Sequence, residues 1–335
     1  MALFSQGEKR KNPLMKYFVV TFGCQMNQSD SEKIGLALSK KYKPASDIKE
    51  ADLVVVNMCS VRQSAVNRVY GLADKLKNKR TILTGCILKK DKLKLAKIFD
   101  EIKEPEKIIK NNENVSGLIP IMRGCNNFCS YCVVPFTRGR EISRPVKEII
   151  CEVKKLIKKG VKEIWLLGQN VNSYKYNFAK LLKEINKIPG EFEIKFTTSH
   201  PKDLSDDLIE AMAGCKKVAK YLNLPVQSGD DEILKKMNRP YTVKQYKDLV
   251  KKIRKKIPNI FLSTDVIVGF PGETKKQFDN TKKLFEEVKF DMAYINKYSL
   301  RYGTKASKLK DSVSPQEKKR REKVLEKIIK SKHEK

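Results

Sequence analysis

Arg123-Gly-Cys125-Asn-Asn-Phe-Cys129-Ser-Tyr-Cys132 sets three cysteines at C-x3-C-x2-C spacing on a loop that leaves a short apolar strand. Three thiolates can hold three irons of a cubic 4Fe-4S cluster and leave the fourth iron open. An iron with free positions can chelate a small-molecule donor, which suits chemistry better than simple electron storage. The competing reading is a structural zinc site, which wants a fourth Cys or His nearby. The chain's only histidines, His200 and His333, are far away in sequence.

Downstream of this loop, strand and helix patterns alternate. Helices are expected over residues 146–159, 178–188, 205–213, 231–237, 243–256 and 274–288. Strands are expected over 117–122, 163–167, 192–197, 221–224, 260–268 and 293–298. Six strands with intervening helices and no second sheet signature predict an open, partial (β/α)6 barrel, whose active residues belong at the carboxyl ends of its strands. Polar and glycine-rich punctuation falls there: Gly168-Gln-Asn170, Thr197-Thr-Ser-His-Pro201, Pro225-Val-Gln-Ser-Gly229 and Gly269-Phe-Pro-Gly-Glu-Thr274. Each segment alone could be turn chemistry. Together with the cysteine loop they predict a ringed pocket.

Upstream, three strand-to-helix units precede the loop. A strand over residues 16–22 leads to Cys24, with a helix capped by Asp30 or Ser31 and running to about residue 41. A second strand over 51–57 leads to Cys59 and a helix over 63–77. A third over 80–84 leads to Cys86 and a helix from about residue 89. Short connections of this kind predict a doubly wound parallel sheet, which gathers the carboxyl ends of its strands along one edge. One cysteine at a strand end is usually a small buried residue. Three at equivalent places point to a second iron–sulfur cluster. Cys151 and Cys215 lie in or at the end of helical patterns and read as core or surface residues. Residues 101–116 turn charged and loop-like and mark the domain boundary.

Lys and Arg number 71 against 39 Asp and Glu, a formal charge of +32. An acidic polymer such as nucleic acid would neutralise such a charge, whereas a small metabolite would not; a lysine-rich bias that solubilises the surface is the plainer alternative. No apolar run approaches membrane-spanning length, and a reducing, cytoplasmic setting without membrane partners is expected from the cysteine usage.

With these residues in view, the sequence resembles the radical S-adenosylmethionine methylthiotransferases, most closely the tRNA-modifying MiaB type. The matching motifs are Thr21-Phe-Gly-Cys-Gln-Met-Asn27, Asn57-Met-Cys-Ser-Val-Arg62, the cysteine loop extended to Glu141, Leu224-Pro-Val-Gln-Ser-Gly229 and Val268-Gly-Phe-Pro-Gly-Glu-Thr274. The resemblance implies that Cys125, Cys129 and Cys132 ligate the radical 4Fe-4S cluster, whose open iron binds S-adenosyl-L-methionine. Tyr131 would lie near its adenine, and Gly168, Gln169, Asn170, Gln227 and Gly269 would line its site. Cys24, Cys59 and Cys86 would ligate an auxiliary 4Fe-4S cluster that supplies or holds the transferred sulfur. The implied reaction adds a methylthio group to carbon 2 of N6-isopentenyladenosine 37 in the anticodon stem-loop of tRNA. Sister types act on threonylcarbamoyl-adenosine or on a ribosomal-protein aspartate, and a non-catalytic iron–sulfur RNA-binding protein is the rival of another class. An electron donor such as flavodoxin or ferredoxin and a sulfur or iron–sulfur carrier are further implied.

The expected organisation is a disordered basic tail (1–15), an N-terminal methylthiotransferase domain (16–110), a radical domain (111–310) and a Lys-rich C-terminal helix (311–335). Members of the family usually carry a small β-barrel RNA-binding TRAM domain after the radical domain. Here a Lys-rich helical pattern over 315–332 stands in that place, and the span between Cys86 and Cys125 is short. A basic face formed by Arg138, Arg140, Arg144 and the terminal lysines is expected to compensate.

Overall fold

The computed structural model describes residues 14–61, 63–109 and 116–333. Most of the expected tail and part of the expected boundary loop therefore lie outside the described residues. The first sheet is built from β1 (Lys16–Phe22), β2 (Lys43–Pro44), β3 (Leu53–Cys59), β4 (Arg80–Cys86) and β5 (Glu101–Ile102), in the order β2-β1-β3-β4-β5 with every pairing parallel. All seven residues of β3 are buried. A continuous β-branched run of this kind fills the centre of a sheet covered on both faces. Val54, Val56 and Met58 face one core with Val66, Val69 and Leu95, while Leu53 and Val55 face the other with Tyr17 and Ile34.

Three helices of this region, α1 (Gln25–Leu38), α2 (Gln63–Tyr70) and α3 (Lys89–Leu95), each follow a strand. The strand order reverses between β1 and β3, the crevice where doubly wound sheets bind ligands. Cys24 and Cys59 flank that crevice.

Several boundaries differ from expectation. Helix α1 starts well before Asp30, because Cys24, in extended conformation, already acts as its N-cap, and the Gln28 amide bonds back to the Cys24 carbonyl. The expected helix over 63–77 stops at Tyr70, and a 3-10 turn over Ala73–Leu76 completes it. The expected loop after residue 101 instead begins with β5, followed by one turn of helix, α4 (Pro105–Ile108).

The second region opens with β6 (Leu118–Pro120) and the two-residue strand β7 (Met122–Arg123), which pairs antiparallel with β8 (Ile142–Ser143) across the cysteine loop and the short α5 (Val134–Thr137). It continues through α6 (Val146–Lys158), β9 (Glu163–Leu167), α7 (Phe178–Asn186), β10 (Glu193–Phe196), α8 (Asp206–Gly214), β11 (Tyr221–Asn223), α9 (Asp231–Lys236), α10 (Val243–Lys256), β12 (Phe261–Val268), α11 (Lys275–Val288) and β13 (Met292–Lys297). Parallel ladders β6-β9-β10 and β11-β12-β13 are joined by a bridge between Ile194 and Val218, and by the Ser199 amide donating to the Asn223 carbonyl. The six strands thus run in chain order, as the open (β/α)6 reading expects.

The terminal helix α12 (Pro315–His333) is part of this region rather than an appendage. Leu325 is fully buried in the main core, Val324, Ile328 and Ile329 pack against it, and Arg321 makes a buried ion pair with Glu273 at 2.6 Å. Among the described residues no helix is long and apolar enough to cross a membrane.

Candidate iron–sulfur and cofactor site

The loop that carries Cys125, Cys129 and Cys132 is held in shape by backbone groups. Gly124 has φ +75°, and a Cβ there would meet the Arg140 carbonyl oxygen at 2.0 Å, so only glycine permits the close return of the 139–140 segment. The Cys125 amide donates to the Gly139 carbonyl (3.2 Å) and the Cys132 amide to the Cys129 carbonyl (3.0 Å). Ser130 is pinned from both sides: its amide and hydroxyl donate to the Met237 and Lys236 carbonyls, and its own carbonyl accepts from Ala306. Burial pushes the Cys132 thiol up to about 12 and raises Cys125, and in each the neighbouring cysteines add to the shift. Thiols buried together in this way disfavour free thiolates, and a positive iron centre supplies the missing compensation.

Arg239 lies beside this loop, and the sequence reading missed it. It is buried, with Nη1 3.7 Å from Cys129 Sγ, Nη2 donating to the Pro225 carbonyl at 2.7 Å and Nε to the Tyr241 hydroxyl at 2.8 Å. Among the described residues it makes no ion pair with a carboxylate. Burial opposes its charge, yet the facing Tyr131, Tyr241 and Cys129 raise its pKa. A buried cation among neutral partners is costly unless negative charge arrives. An anionic cluster–thiolate assembly with a carboxylate-bearing cofactor would bring that charge. Arg239 follows α9 in Met237-Asn-Arg239-Pro, and a lone basic residue after a short helix carries no periodic or spacing signal.

Other polar atoms at the carboxyl ends of β9 and β10 are buried without a partner: Gln169 Oε1, Ser199 Oγ and His200 Nε2. His200 Nδ1 accepts from the Lys202 amide, so its other nitrogen is the one left over. Burial, with Arg239 and Lys202 nearby, lowers the His200 pKa to about 2. Unsatisfied buried groups clustered at one strand edge are what a polar ligand would satisfy. The donor set therefore fits a cluster with a bound amino-acid cofactor.

The remaining expected cofactor residues divide. Tyr131 packs with Met237, Phe270 and Tyr298 beside the loop. Gln227 adopts φ +69° and bridges to Val266. Gly168 faces Met122, which an added Cβ would meet at 2.6 Å. Asn170 is committed internally, its amide to Asp203 and its oxygen to the His200 amide, so it shapes the 197–203 loop. Gly269 has φ +68° and faces Lys318 of α12, 2.4 Å from an added Cβ, so on that side it makes room for a helix.

Cys24, Cys59 and Cys86 converge as the doubly wound reading expects. Cys59 and Cys86 are register partners at the ends of β3 and β4 and share a side-chain hydrogen bond, which holds Cys59 below and Cys86 above the usual thiol range. Cys24 is near enough to act on Cys59. Asn27, one turn into α1, donates to Asn57 Oδ1 (2.8 Å) and the Met58 carbonyl, tying the Cys24 end of α1 to β3. Cys151 is exposed and Cys215 buried, both apart from the triads.

Among the described residues, no three Cys, His, Asp or Glu side chains gather around a single-ion position. Surface clefts of about 480 Å³ (beside Lys180, Lys183 and Cys215) and about 520 Å³ (beside Phe192 and Lys217) hold none of the six cysteines.

The two regions meet through arginines. Arg138, at the end of α5, places Nε 2.7 Å from Cys86 Sγ and Nη2 3.1 Å from Asp30. Arg301, beyond β13, donates to the Val61 carbonyl (3.0 Å), two residues after Cys59, and to Gln63 Oε1 (2.8 Å) at the start of α2. The segments that follow the carboxyl ends of β1, β3 and β4 are thus in contact with the second region through Arg138 and Arg301. The expected basic face is corrected by the same contacts. Arg138 is spent on this interface, and Arg144 pairs with Glu152 at 2.8 Å and donates to the Pro120 carbonyl. Arg140 alone of the three is exposed, lying over the Phe128 ring at 4.4 Å.

Comparison with known proteins agrees with this architecture. Residues 119–285 match the Radical SAM superfamily, and residues 16–104 match the Uncharacterized protein family UPF0004. The tRNA-2-methylthio-N(6)-dimethylallyladenosine synthase of Clostridium botulinum is 44% identical over 90% of this chain and 78% of its own length. Its counterparts from Acetivibrio thermocellus and Carboxydothermus hydrogenoformans are 43% and 41% identical over 91% of this chain, covering 74% and 81% of theirs. Among solved structures, the radical S-adenosylmethionine methyltransferase TsrM from Kitasatospora setae, with cobalamin and a [4Fe-4S] cluster bound, aligns with TM-score 0.66 at 13% identity, over 88% of this chain and 77% of that one. At that identity the likeness concerns the fold.

Proposed function

The chain belongs to the family of tRNA-2-methylthio-N(6)-dimethylallyladenosine synthases, and from that premise we propose that it adds a methylthio group to carbon 2 of N6-isopentenyladenosine at position 37 of tRNA, using two 4Fe-4S clusters. It is a radical SAM enzyme, and an iron–sulfur cluster and S-adenosylmethionine come with that class. In this reading residues 16–110 form the sulfur-side domain, 111–310 the radical domain and 311–335 the terminal helix. Cys125, Cys129 and Cys132 hold the radical cluster, and Cys24, Cys59 and Cys86 hold the auxiliary one.

When bound, the cluster and cofactor supply one-electron chemistry able to open an unactivated C–H bond, which has no acidic proton for a general base. The chain's own residues do the rest. Arg239 presents positive charge at Cys129, Tyr131 packs beside the loop, and Gln169, Ser199 and His200 offer polar atoms free to bind. His200 is held neutral by burial, and because its Nδ1 accepts from the Lys202 amide, the ring proton sits on Nε2, which is offered as a donor.

The observation that supports the proposal is a contact between the two domains, in which Arg138, six residues after Cys132, touches the thiol of Cys86. The high positive charge suits a tRNA substrate. Electrons would come from a small donor such as flavodoxin or ferredoxin, and sulfur from a dedicated carrier. Two measurements test this. Nucleosides from cells with and without the gene, compared by mass spectrometry, should differ by loss of the methylthio-isopentenyl nucleoside. The anaerobically reconstituted chain should hold about eight irons, the sum of two cubic clusters. Intact methylthiolation in the deleted strain, or about half that iron, would refute the corresponding part.

A further inference from the structure

We propose that Arg138 is a positioning residue for the sulfur-side centre, one that ties the Cys86 corner to the radical domain and sets the electrostatics of that corner together with Asp30. The inference rests on the reading that Cys24, Cys59 and Cys86 hold a cluster, and goes beyond it by assigning a role to two residues that are not ligands.

Arg138 stands six residues after Cys132, and its amide bonds to the Val134 carbonyl at the end of α5. Its position therefore follows the radical loop. Its guanidinium leaves that domain and divides: Nε reaches Cys86 Sγ at 2.7 Å, and Nη2 reaches Asp30 at 3.1 Å, with both side chains nearly buried (12% and 13% exposed). Asp30 lies on α1, whose N-cap is Cys24. Arg301 reaches the segment just beyond Cys59, donating to the Val61 carbonyl and to Gln63 Oε1 at the start of α2. Each element that carries a sulfur-side cysteine is thus tied to the radical domain by an arginine.

The two arginines differ in chemistry. Arg301 donates to a backbone carbonyl and to a side-chain amide oxygen, whereas Arg138 donates to a sulfur. Donors and positive charge at a ligand sulfur favour the reduced, more negative cluster, and groups behind a ligand also fix its orientation. Asp30 opposes that charge. Arg138 and Asp30 therefore bias the potential of the centre in opposite directions, a signature that a merely structural tie between the domains would not leave in the measured potential.

The test uses the full chain with Cys125, Cys129 and Cys132 changed to Ala, so that only the sulfur-side cluster can form. In that parent, Arg138→Met, Arg138→Lys and Asp30→Asn are reconstituted anaerobically. Iron per chain, retention against a chelator and the midpoint potential, followed by electron paramagnetic resonance, are then measured. Arg138→Met should shift the midpoint negative and shorten retention by about tenfold or more. Arg138→Lys should recover most of the potential, and Asp30→Asn should shift it positive. Unchanged potential and retention in Arg138→Met, or shifts of the same sign in Arg138→Met and Asp30→Asn, would overturn the proposal while leaving the cluster assignment intact. A parent that binds no iron would overturn both. If Arg138→Met does not fold, the Lys and Asn variants still decide between the outcomes.

Discussion

The two cysteine triads are assembled by opposite routes. Cys125, Cys129 and Cys132 come from one loop of eight residues, shaped by Gly124 and pinned at Ser130, and their arginine, Arg239, stands among neutral partners. Cys24, Cys59 and Cys86 come from three strand ends, and their arginine is borrowed from the other domain and paired with Asp30. A local loop can be set for an incoming anionic cofactor with an unpaired cation beside it. A centre assembled from distant strand ends needs its surroundings held in place, and here the holding groups carry their own countercharge.

Removing either triad should have the largest effect. Replacing Cys125, Cys129 and Cys132 by Ala, or Cys24, Cys59 and Cys86 by Ala, should lower bound iron from about eight to about four per chain and abolish methylthio transfer, as read by iron analysis and nucleoside mass spectrometry. If the two sites were not separate, one of these variants would lose all its iron.

The unpaired cation is the next point of contrast. Arg239→Met should reduce S-adenosylmethionine cleavage by about tenfold to a hundredfold, the range for losing a charge-assisted contact, and Arg239→Lys should lose less. Single-turnover cleavage under reductant measures this, and an unaffected rate would remove Arg239 from the site.

His200 sharpens the comparison through pH. Its folded pKa, near 2, lies below the usual 6.5, so the unfolded chain binds the extra proton between those values. Its contribution to stability is therefore complete above about pH 6.5 and declines as pH falls toward 2, by at most about 1.4 kcal/mol per pH unit. Urea unfolding of the apoprotein at pH 7, 6 and 5 should show this slope, and His200→Asn should flatten it.

Arg140 is the smaller lever. It is exposed where Arg138 and Arg144 are engaged, so Arg140→Ala should weaken RNA binding modestly and reduce the salt slope by about one if it meets a phosphate. Cys151→Ser, at an exposed helix position, should change neither iron content nor activity.

What could be read in advance follows from the range of each interaction. The cysteine loop, the strands at Lys16–Phe22 and Glu163–Leu167 and the helix at Val243–Lys256 are written in local spacing and periodicity, and each stands where expected. The second triad was legible because a parallel sheet brings its strand ends to one edge. Harder to see were features decided by tertiary contacts. Asp30 looks like a helix cap and is instead a partner of Arg138, because Cys24 already caps α1. Arg138 and Arg144 look like RNA-facing cations and are internal. Gly269 faces Lys318 of α12 on one side, and no local pattern announces the docking of that helix. Arg239 drew no notice at all, since a buried cation is recognised only by what surrounds it.

The central claim is that both triads act within one molecule, facing each other across the domain interface. Mixing the variant that lacks Cys24, Cys59 and Cys86 with the variant that lacks Cys125, Cys129 and Cys132, each loaded with its remaining cluster and given isopentenylated tRNA, S-adenosylmethionine and reductant, tests it most directly. The account predicts no methylthiolated nucleoside from the mixture. Product formed at a substantial fraction of the intact chain's rate would contradict it.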